Sequence, residues 1–272
     1  MPIEIRADFP TNWTTWGQGA KRALLLHCSM GRASAWRGMI KHLDADYTFT
    51  GFDMPGHGMS GEWRDQGDFH TIGTDIAKTF MDKPMDLVGH SYGGTIALRL
   101  ALEVPELVRS LVLIEPVLMN LAFKDDPSSK VAYDADHKEY NDALMVGDSE
   151  RAASAFAIHW GDGQAWEDLP QRSRDFMVEK IRMIKAGEHN VYGDRYGFSE
   201  PGRLSKINVP VLVMEGAQSH IIVGKINSAL ERRLSNTSRV VVDNASHLVP
   251  ITNPIETAQA ISQFWNGLSL NI

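Results

Sequence analysis

Residues 89–93, Gly-His-Ser-Tyr-Gly, place a serine between two glycines where one hydrophobic pattern gives way to another. The run "MDLVGH" before Ser91 indicates a buried strand, and "YGGTIALRLALEV" after it is typical of a buried helix. The turn between them must be tight, and glycine at positions 89 and 93 relieves crowding there. Such a turn presents the Ser91 hydroxyl beside the positive end of a helix, as a nucleophile for carbonyl chemistry.

A serine nucleophile needs a base that removes its proton, and a neutral imidazole is suited to this near pH 7. His247, in "NASHLVPITNP", follows the last strand expected along the chain. Because a loop after that strand would return to the serine, we interpret His247 as the base. The alternative is a solvated loop histidine.

Glu115 is the third unusual residue, because it ends the apolar run "LVLI" at positions 111–114. That run indicates a fully buried strand. Carboxylates are rarely buried without a partner, since losing their hydration is costly. The sequence therefore predicts that Glu115 has a specific partner near the end of this strand.

Short apolar strands alternate with helical patterns, which predicts an α/β fold: a mostly parallel central sheet with helices on both faces. The strand candidates are 23–28, 47–53, 85–90, 110–115, 209–216 and 238–244, with edge strands near 3–7 and 12–16. Helices are predicted at about 34–43, 69–81, 92–104, 223–234 and 254–267.

The alternation stops between about 119 and 205, where no strand-like run occurs. A helix is predicted to begin at Asp148 or Ser149, and the segment 172–185 has helical spacing. That spacing places four apolar residues on one face, Phe176, Met177, Ile181 and Ile184. We therefore predict a core domain of residues 1–118 and 206–272, with a helical lid insertion at 119–205.

Four motifs together resemble the α/β-hydrolase fold family over nearly the whole chain: the serine turn, "HCSMGRASAW", "GFDMPGHGMSG" and the histidine loop. The resemblance implies an oxyanion hole formed by the backbone N–H groups of Ser29 and Tyr92. It also implies structural roles for His27, beside the oxyanion loop, and for His57, in a turn. Cys28 departs from the pattern, because the family commonly has glycine there.

The resemblance also bears on the acid that orients the histidine. The family usually has an aspartate after the strand before last, in a G-x-x-D pattern, but this chain has Gly216-Ala217-Gln218-Ser219. Some members carry the acid one strand earlier, at the position of Glu115, so we interpret Glu115 as the acid. Three alternatives stay open: a degenerate triad, a structural Glu115, and Asp243 as the acid. Serine is not an acid, and Ser219→Ala is expected to cost little activity.

These residues predict a serine hydrolase, carboxylesterase-like, that cleaves a small to medium ester or lactone through an acyl-enzyme. The same triad serves C–C bond hydrolases, amidases, perhydrolases and hydroxynitrile lyases, so the fold alone does not select the reaction. An aspartate-nucleophile dehalogenase or epoxide hydrolase is disfavoured by Ser91. A non-enzymatic ligand receptor is the alternative outside enzymes, supported only by the serine at position 219.

The composition limits the remaining classes. The 272 residues include 43% hydrophobic and 22% charged residues, with a net charge of -7 that disfavours nucleic acid and anionic membranes as partners. The single cysteine, Cys28, excludes an intramolecular disulfide, and neither a signal-peptide pattern nor a membrane-length apolar run occurs. We expect a cytoplasmic protein with a small-molecule substrate, no cofactor and no metal, since the histidines lack metal-ligand spacing.

Overall fold

The computed structural model describes residues 3–269. Within this range, eight strands form one sheet in the order β1-β2-β4-β3-β5-β6-β7-β8. The strands are β1 Ile3–Arg6, β2 Phe9–Trp16, β3 Lys21–Leu26, β4 Tyr47–Phe52, β5 Met85–His90, β6 Val108–Ile114, β7 Val211–Gly216 and β8 Thr237–Val242. The six strands from β3 to β8 pair in parallel, and β1 and β2 form an antiparallel edge. The predicted mostly parallel sheet is confirmed.

Helices cover the sheet, and further helices make up the chain segment between β6 and β7. They are α1 Arg37–Ile40, α2 Phe69–Lys78, α3 Tyr92–Glu103, α4 Met119–Asp125, α5 Pro127–Asp136, α6 Lys138–Met145, α7 Ser149–Trp160, α8 Gln171–Val191, α9 Ile221–Glu231, α10 Val249–Thr252 and α11 Pro254–Ser269. The helix predicted at 34–43 is shorter than expected: a 3-10 turn at Ala33–Trp36 leads into the four-residue α1.

The hydrophobic core lies on both faces of the sheet. Along β6, Leu111 and Leu113 pack into one cluster with residues of α3, whereas Val112 and Ile114 pack into a second cluster with residues of α11. Successive strand residues point to opposite faces, so a strand buried on both sides needs an unbroken apolar run. This explains why the residues before Glu115 show no polar alternation.

The insertion segment, residues 119–205, is helical and contains no strand. The Asp148 carboxylate accepts a hydrogen bond from the Arg151 N–H at 3.1 Å, so it caps α7 as one of the two predicted residues. A small cluster of α6, α7 and α8 residues packs inside the segment. The apolar face predicted for α8 is only partly buried: Ile181 is buried, whereas Phe176 is 38% exposed, and the helix also buries Lys180 and Met183.

Candidate active site

Ser91 occupies the turn between β5 and α3 in a strained backbone conformation, with φ 54° and ψ -117°. Its N–H donates to the Ile114 carbonyl at 2.8 Å, which ties the turn to the end of β6. A Cβ at position 89 would lie 2.5 Å from the Gly93 oxygen, and one at position 93 would lie 2.1 Å from the Leu26 oxygen. Only glycine fits at these two positions, as the sequence predicts.

His247 lies in the loop between β8 and α10 and faces Ser91. Its Nε2 is 2.9 Å from the Ser91 Oγ, and its Nδ1 is 2.9 Å from the Glu115 Oε2. The imidazole is buried, and its backbone carbonyl accepts a hydrogen bond from His90 Nε2 at 2.8 Å. The structure therefore brings together Ser91, His247 and Glu115 in one chain of hydrogen bonds.

Glu115 leaves the end of β6 with a left-handed φ of 53°, and its side chain is fully buried. One carboxylate oxygen, Oε1, accepts hydrogen bonds from the Gly216 N–H and the Ser219 hydroxyl, both at 2.6 Å. The other faces His247, so the buried carboxylate has three polar partners. Asp243, the alternative acid, is exposed. Ser219, at the position where the family usually has an aspartate, thus donates to Glu115, a contact that residue types alone did not reveal.

Burial shapes the protonation of this group. It lowers the pKa of His247, so the imidazole is neutral near pH 7 and its Nε2 can accept a proton. Burial also raises the pKa of Glu115, and the hydrogen bonds from Ser219 and Gly216 act in the opposite direction because they favour the carboxylate. The two donors thus favour the charged form of Glu115, in which Oε2 accepts a hydrogen bond from His247 Nδ1–H.

The loop that carries Ser29 is held from both sides by buried histidines. His27 Nε2 accepts from the Met54 N–H at 2.9 Å, so its Nδ1 donates to the Cys28 carbonyl at 2.7 Å. His57 Nε2 accepts from the Met30 N–H at 3.0 Å. In residues 3–269, neither histidine is hydrogen-bonded to Ser91, consistent with structural roles. The left-handed residue of this loop is Met30, with φ 60°, and not Cys28.

A cavity of about 70 Å³ opens beside the serine. Its wall contains Ser29 and Tyr92, the two residues predicted to supply oxyanion N–H groups, which stays a prediction. The complete lining is Cys28, Ser29, Ser91, Tyr92, Val117, Met119, Tyr133, Phe156, Trp160, Ile184, Glu188, Val191, Tyr192, His247 and Leu248. Eight of these fifteen residues belong to the insertion segment.

Two tryptophans of the insertion segment, Trp160 and Trp166, differ in their position relative to the cavity. The Trp160 ring packs edge-on against the His247 ring, with centroids 4.8 Å apart, and its Nε1–H donates to His137 Nε2 at 3.0 Å. Trp166 packs against the cluster inside the segment and is not among the lining residues. Of these two tryptophans, only Trp160 lines the cavity.

Sequence reasoning missed Glu188, the one carboxylate among the lining residues. The signal was present: Ile181, Ile184, Glu188 and Val191 share helical spacing, so an acid interrupts an apolar face. The predicted helix stopped short of it, whereas α8 continues to Val191. Burial raises the pKa of Glu188, and a hydrogen bond from Tyr140 and the charge of Lys185 oppose that effect.

Two kinds of feature are absent from residues 3–269. No group of three or more histidine, cysteine, aspartate or glutamate side chains there is arranged to hold a metal ion. No helix in the same range has the length and apolar character needed to cross a membrane.

Comparison with known proteins identifies the family. Residues 24–254 match the sequence model of the alpha/beta hydrolase fold. The chain is 28% identical over 224 residues to the dihydrolipoyllysine-residue acetyltransferase component of the acetoin cleaving system of Cupriavidus necator, covering 76% of this chain and 54% of that protein. It therefore spans about half the length of that relative.

Two further proteins are similar over nearly the whole chain. A pimeloyl-[acyl-carrier protein] methyl ester esterase of Neisseria meningitidis serogroup C is 27% identical over 256 residues, covering 91% of this chain and 94% of the esterase. The crystal structure of MGS-M2, an alpha/beta hydrolase enzyme from a deep-sea metagenome library, shares the fold with a TM-score of 0.75, 16% identity and 97% coverage of both chains. The chain belongs to the α/β hydrolase fold family of enzymes.

Proposed function

We propose that this protein is a serine hydrolase that cleaves a small carboxylic ester through an acyl-enzyme. The observation that carries the proposal is the hydrogen-bond chain from Ser91 through His247 to Glu115. Each member stands at hydrogen-bond distance in the order that nucleophilic catalysis requires. The sequence similarity to a methyl ester esterase supports an ester as the bond that is cleaved.

The mechanism follows from the atoms that face one another. His247 Nε2 removes the Ser91 hydroxyl proton while Oγ attacks the ester carbonyl carbon, and the carbonyl oxygen gains negative charge. The N–H groups of Ser29 and Tyr92 stabilise that oxyanion. The imidazolium then returns its proton to the departing alcohol, which leaves an acyl group on Ser91. Water, activated by His247, attacks the acyl carbon and releases the acid.

Glu115 holds His247 in the tautomer that this sequence of steps needs. Its Oε2 accepts a hydrogen bond from the Nδ1–H group, which leaves the Nε2 lone pair directed at Ser91. As the imidazolium forms, the carboxylate stabilises its charge. Ser219 and Gly216 fix the other carboxylate oxygen and thereby the orientation of the acid.

The cavity beside the serine is small, about 70 Å³, and this favours substrates with short chains. We therefore expect p-nitrophenyl esters to be cleaved most efficiently at the short end of a series of graded acyl length. Rates that rise steadily toward long acyl chains would argue against a small-ester enzyme.

The test of the nucleophile is labelling with a fluorophosphonate, which forms a bond from Ser91 Oγ to phosphorus as fluoride leaves. We expect stoichiometric labelling at Ser91, measured by mass spectrometry of peptides, and none in Ser91→Ala. In the same variant, ester turnover should fall by about a thousandfold or more with the fold retained. Absence of labelling in folded wild-type protein would instead favour a receptor without a working triad.

A further inference from the structure

One face of α8 forms part of the cavity wall and carries a single acid. Ile184, Glu188, Val191 and Tyr192 all line the cavity, at the spacing of one helical face. This face lies close to the serine turn, because a Cβ at Gly187 would come within 2.8 Å of Tyr92 Cε2. Glu188 therefore contributes its charge to the same cavity that Ser91 opens into.

The Glu188 carboxylate lacks a cationic partner within the described part of the chain. It forms no salt bridge there, and its side chain accepts one hydrogen bond, from the Tyr140 hydroxyl at 3.3 Å. Lys185, one turn earlier, is exposed. A partly buried carboxylate without a cation carries a desolvation cost that its protein partners do not fully offset. A cation bound in the cavity would offset it.

The rest of the wall suits a cation as well. Four aromatic residues of the insertion segment line the cavity, namely Tyr133, Phe156, Trp160 and Tyr192. The Tyr133 and Tyr192 hydroxyls are hydrogen-bonded to each other at 2.8 Å. Aromatic faces attract ammonium ions through the negative charge of their π-systems, and this attraction strengthens when the cation is desolvated. The net charge of -7 further favours the approach of cations.

We infer that the cavity accepts small esters whose acyl or alcohol part carries a protonated amine, and that Glu188 selects them. The ammonium group pairs with the Glu188 carboxylate and lies among the aromatic rings, while esters with a carboxylate in that position are repelled. This inference rests on the proposed function for the reaction itself. Ammonium binding, however, depends only on the cavity and can be measured without turnover.

The first experiment measures binding to the wild-type protein by calorimetry with three ligands of similar size: butylammonium, butan-1-ol and butanoate. We expect butylammonium to bind at least about ten times more tightly than butan-1-ol, and butanoate to bind more weakly than either. In Glu188→Gln the preference for butylammonium should disappear. Asp175→Asn, which removes a carboxylate at the exposed start of α8, should retain it.

The second experiment compares two methyl esters that differ only in an ammonium group in place of a methyl group, β-alanine methyl ester and methyl butanoate. The ratio of their kcat/KM values should fall by about tenfold or more from wild type to Glu188→Gln. Asp175→Asn should leave the ratio unchanged. Because each ratio is compared between variants, the different intrinsic reactivities of the two esters cancel.

The outcomes separate the two proposals. If wild-type protein binds butylammonium no better than butan-1-ol, the inference is wrong, whether or not Glu188→Gln folds. An ester ratio that is equal in wild type and folded Glu188→Gln also overturns it and leaves Glu188 as a structural partner of Tyr140. If butylammonium binds selectively but neither ester is cleaved, the cation site stands and the proposed hydrolase function fails.

Discussion

Two regions supply the candidate site, and they fix their side chains in different ways. At the carboxyl ends of the central strands β5 and β6, Ser91 and Glu115 both have left-handed backbones, and each donates its N–H to the end of the neighbouring strand. In the insertion segment, Trp160 and Glu188 extend from helix faces that are held by side-chain packing. We therefore expect the residues at these strand ends to set the rate for every substrate, and the insertion segment to set which substrate is preferred.

The largest expected effect tests the residues at the strand ends. Glu115→Gln keeps the size of the side chain but removes its charge and can stabilise the wrong tautomer of His247. We expect kcat to fall by roughly a hundredfold to ten-thousandfold, by a similar factor for each ester in a series. Steady-state kinetics across that series measure both the loss and its uniformity.

The matched control for this variant is Asp243→Asn, which removes the exposed carboxylate four residues before His247. Its activity should equal that of wild type. If Asp243→Asn loses activity and Glu115→Gln keeps it, Asp243 orients the histidine and Glu115 is structural. If both remain active, the reaction does not need an acid.

Ser219→Ala should have a smaller effect of the same kind. The Ser219 hydroxyl donates to Glu115 Oε1 at 2.6 Å, and removing it leaves the Gly216 N–H as the partner of that oxygen. Hydrogen bonds to charged groups contribute about 1.5–3 kcal/mol, but Ser219 is only partly buried and water can partly replace its hydroxyl. We therefore expect kcat to fall about three- to tenfold, more than residue type alone indicates.

A positioning role for Ser219 also predicts rescue. Ser219→Thr keeps a hydroxyl and should restore most of the activity, whereas Ser219→Val, with a similar shape and no hydroxyl, should resemble Ser219→Ala. The pH dependence of kcat/KM measured on these variants adds a readout that loss of packing would not change. Equal activity of Ser219→Thr and Ser219→Val would contradict the role.

Trp160 tests whether the insertion segment controls substrate preference. Trp160→Phe keeps an aromatic ring near His247 but loses the hydrogen bond to His137 and reshapes the cavity wall. We expect the kcat/KM ratio between a short and a longer ester to change by roughly three- to tenfold. Trp166→Phe is the control, because Trp166 does not line the cavity. A Trp160→Phe variant that slowed all esters equally would instead group Trp160 with Ser91 and Glu115, the residues at the strand ends.

The two regions also differ in how well the sequence predicts them. The apolar run before Glu115 and the glycines around Ser91 follow directly from the requirements of a buried parallel strand and a tight turn. Both can be recognised from residue types alone. Helix faces in the insertion segment depend on where α8 ends and how it is rotated, which is set by packing against α7 and the sheet domain. This is why the sequence did not predict that Phe176 is exposed and that Glu188 lines the cavity.

The smallest expected effect concerns stability and again belongs to the sheet region. His57, His70 and His90 are buried there, and burial lowers the pKa of each to about 3. In the unfolded chain their pKa is about 6.5. Below that pH the unfolded chain binds protons that the folded protein does not bind, so stability that is present above pH 6.5 is lost as the pH falls toward 3.

The magnitude can be tested one histidine at a time. Well below pH 6.5, each buried histidine adds on the order of 1.4 kcal/mol per pH unit to the loss. Burial raises the pKa of Glu115, which acts in the opposite direction above the ordinary pKa of a glutamate and reduces the net slope. We expect His70→Gln to lower the slope of the free energy of unfolding, measured by urea titration between about pH 7 and pH 5, by about 1 kcal/mol per unit. The exposed His42→Gln should keep the wild-type slope. Since this comparison uses slopes, a general loss of stability in His70→Gln does not affect it, and equal slopes in all three proteins would show that His70 does not contribute to the acid sensitivity of the sheet region.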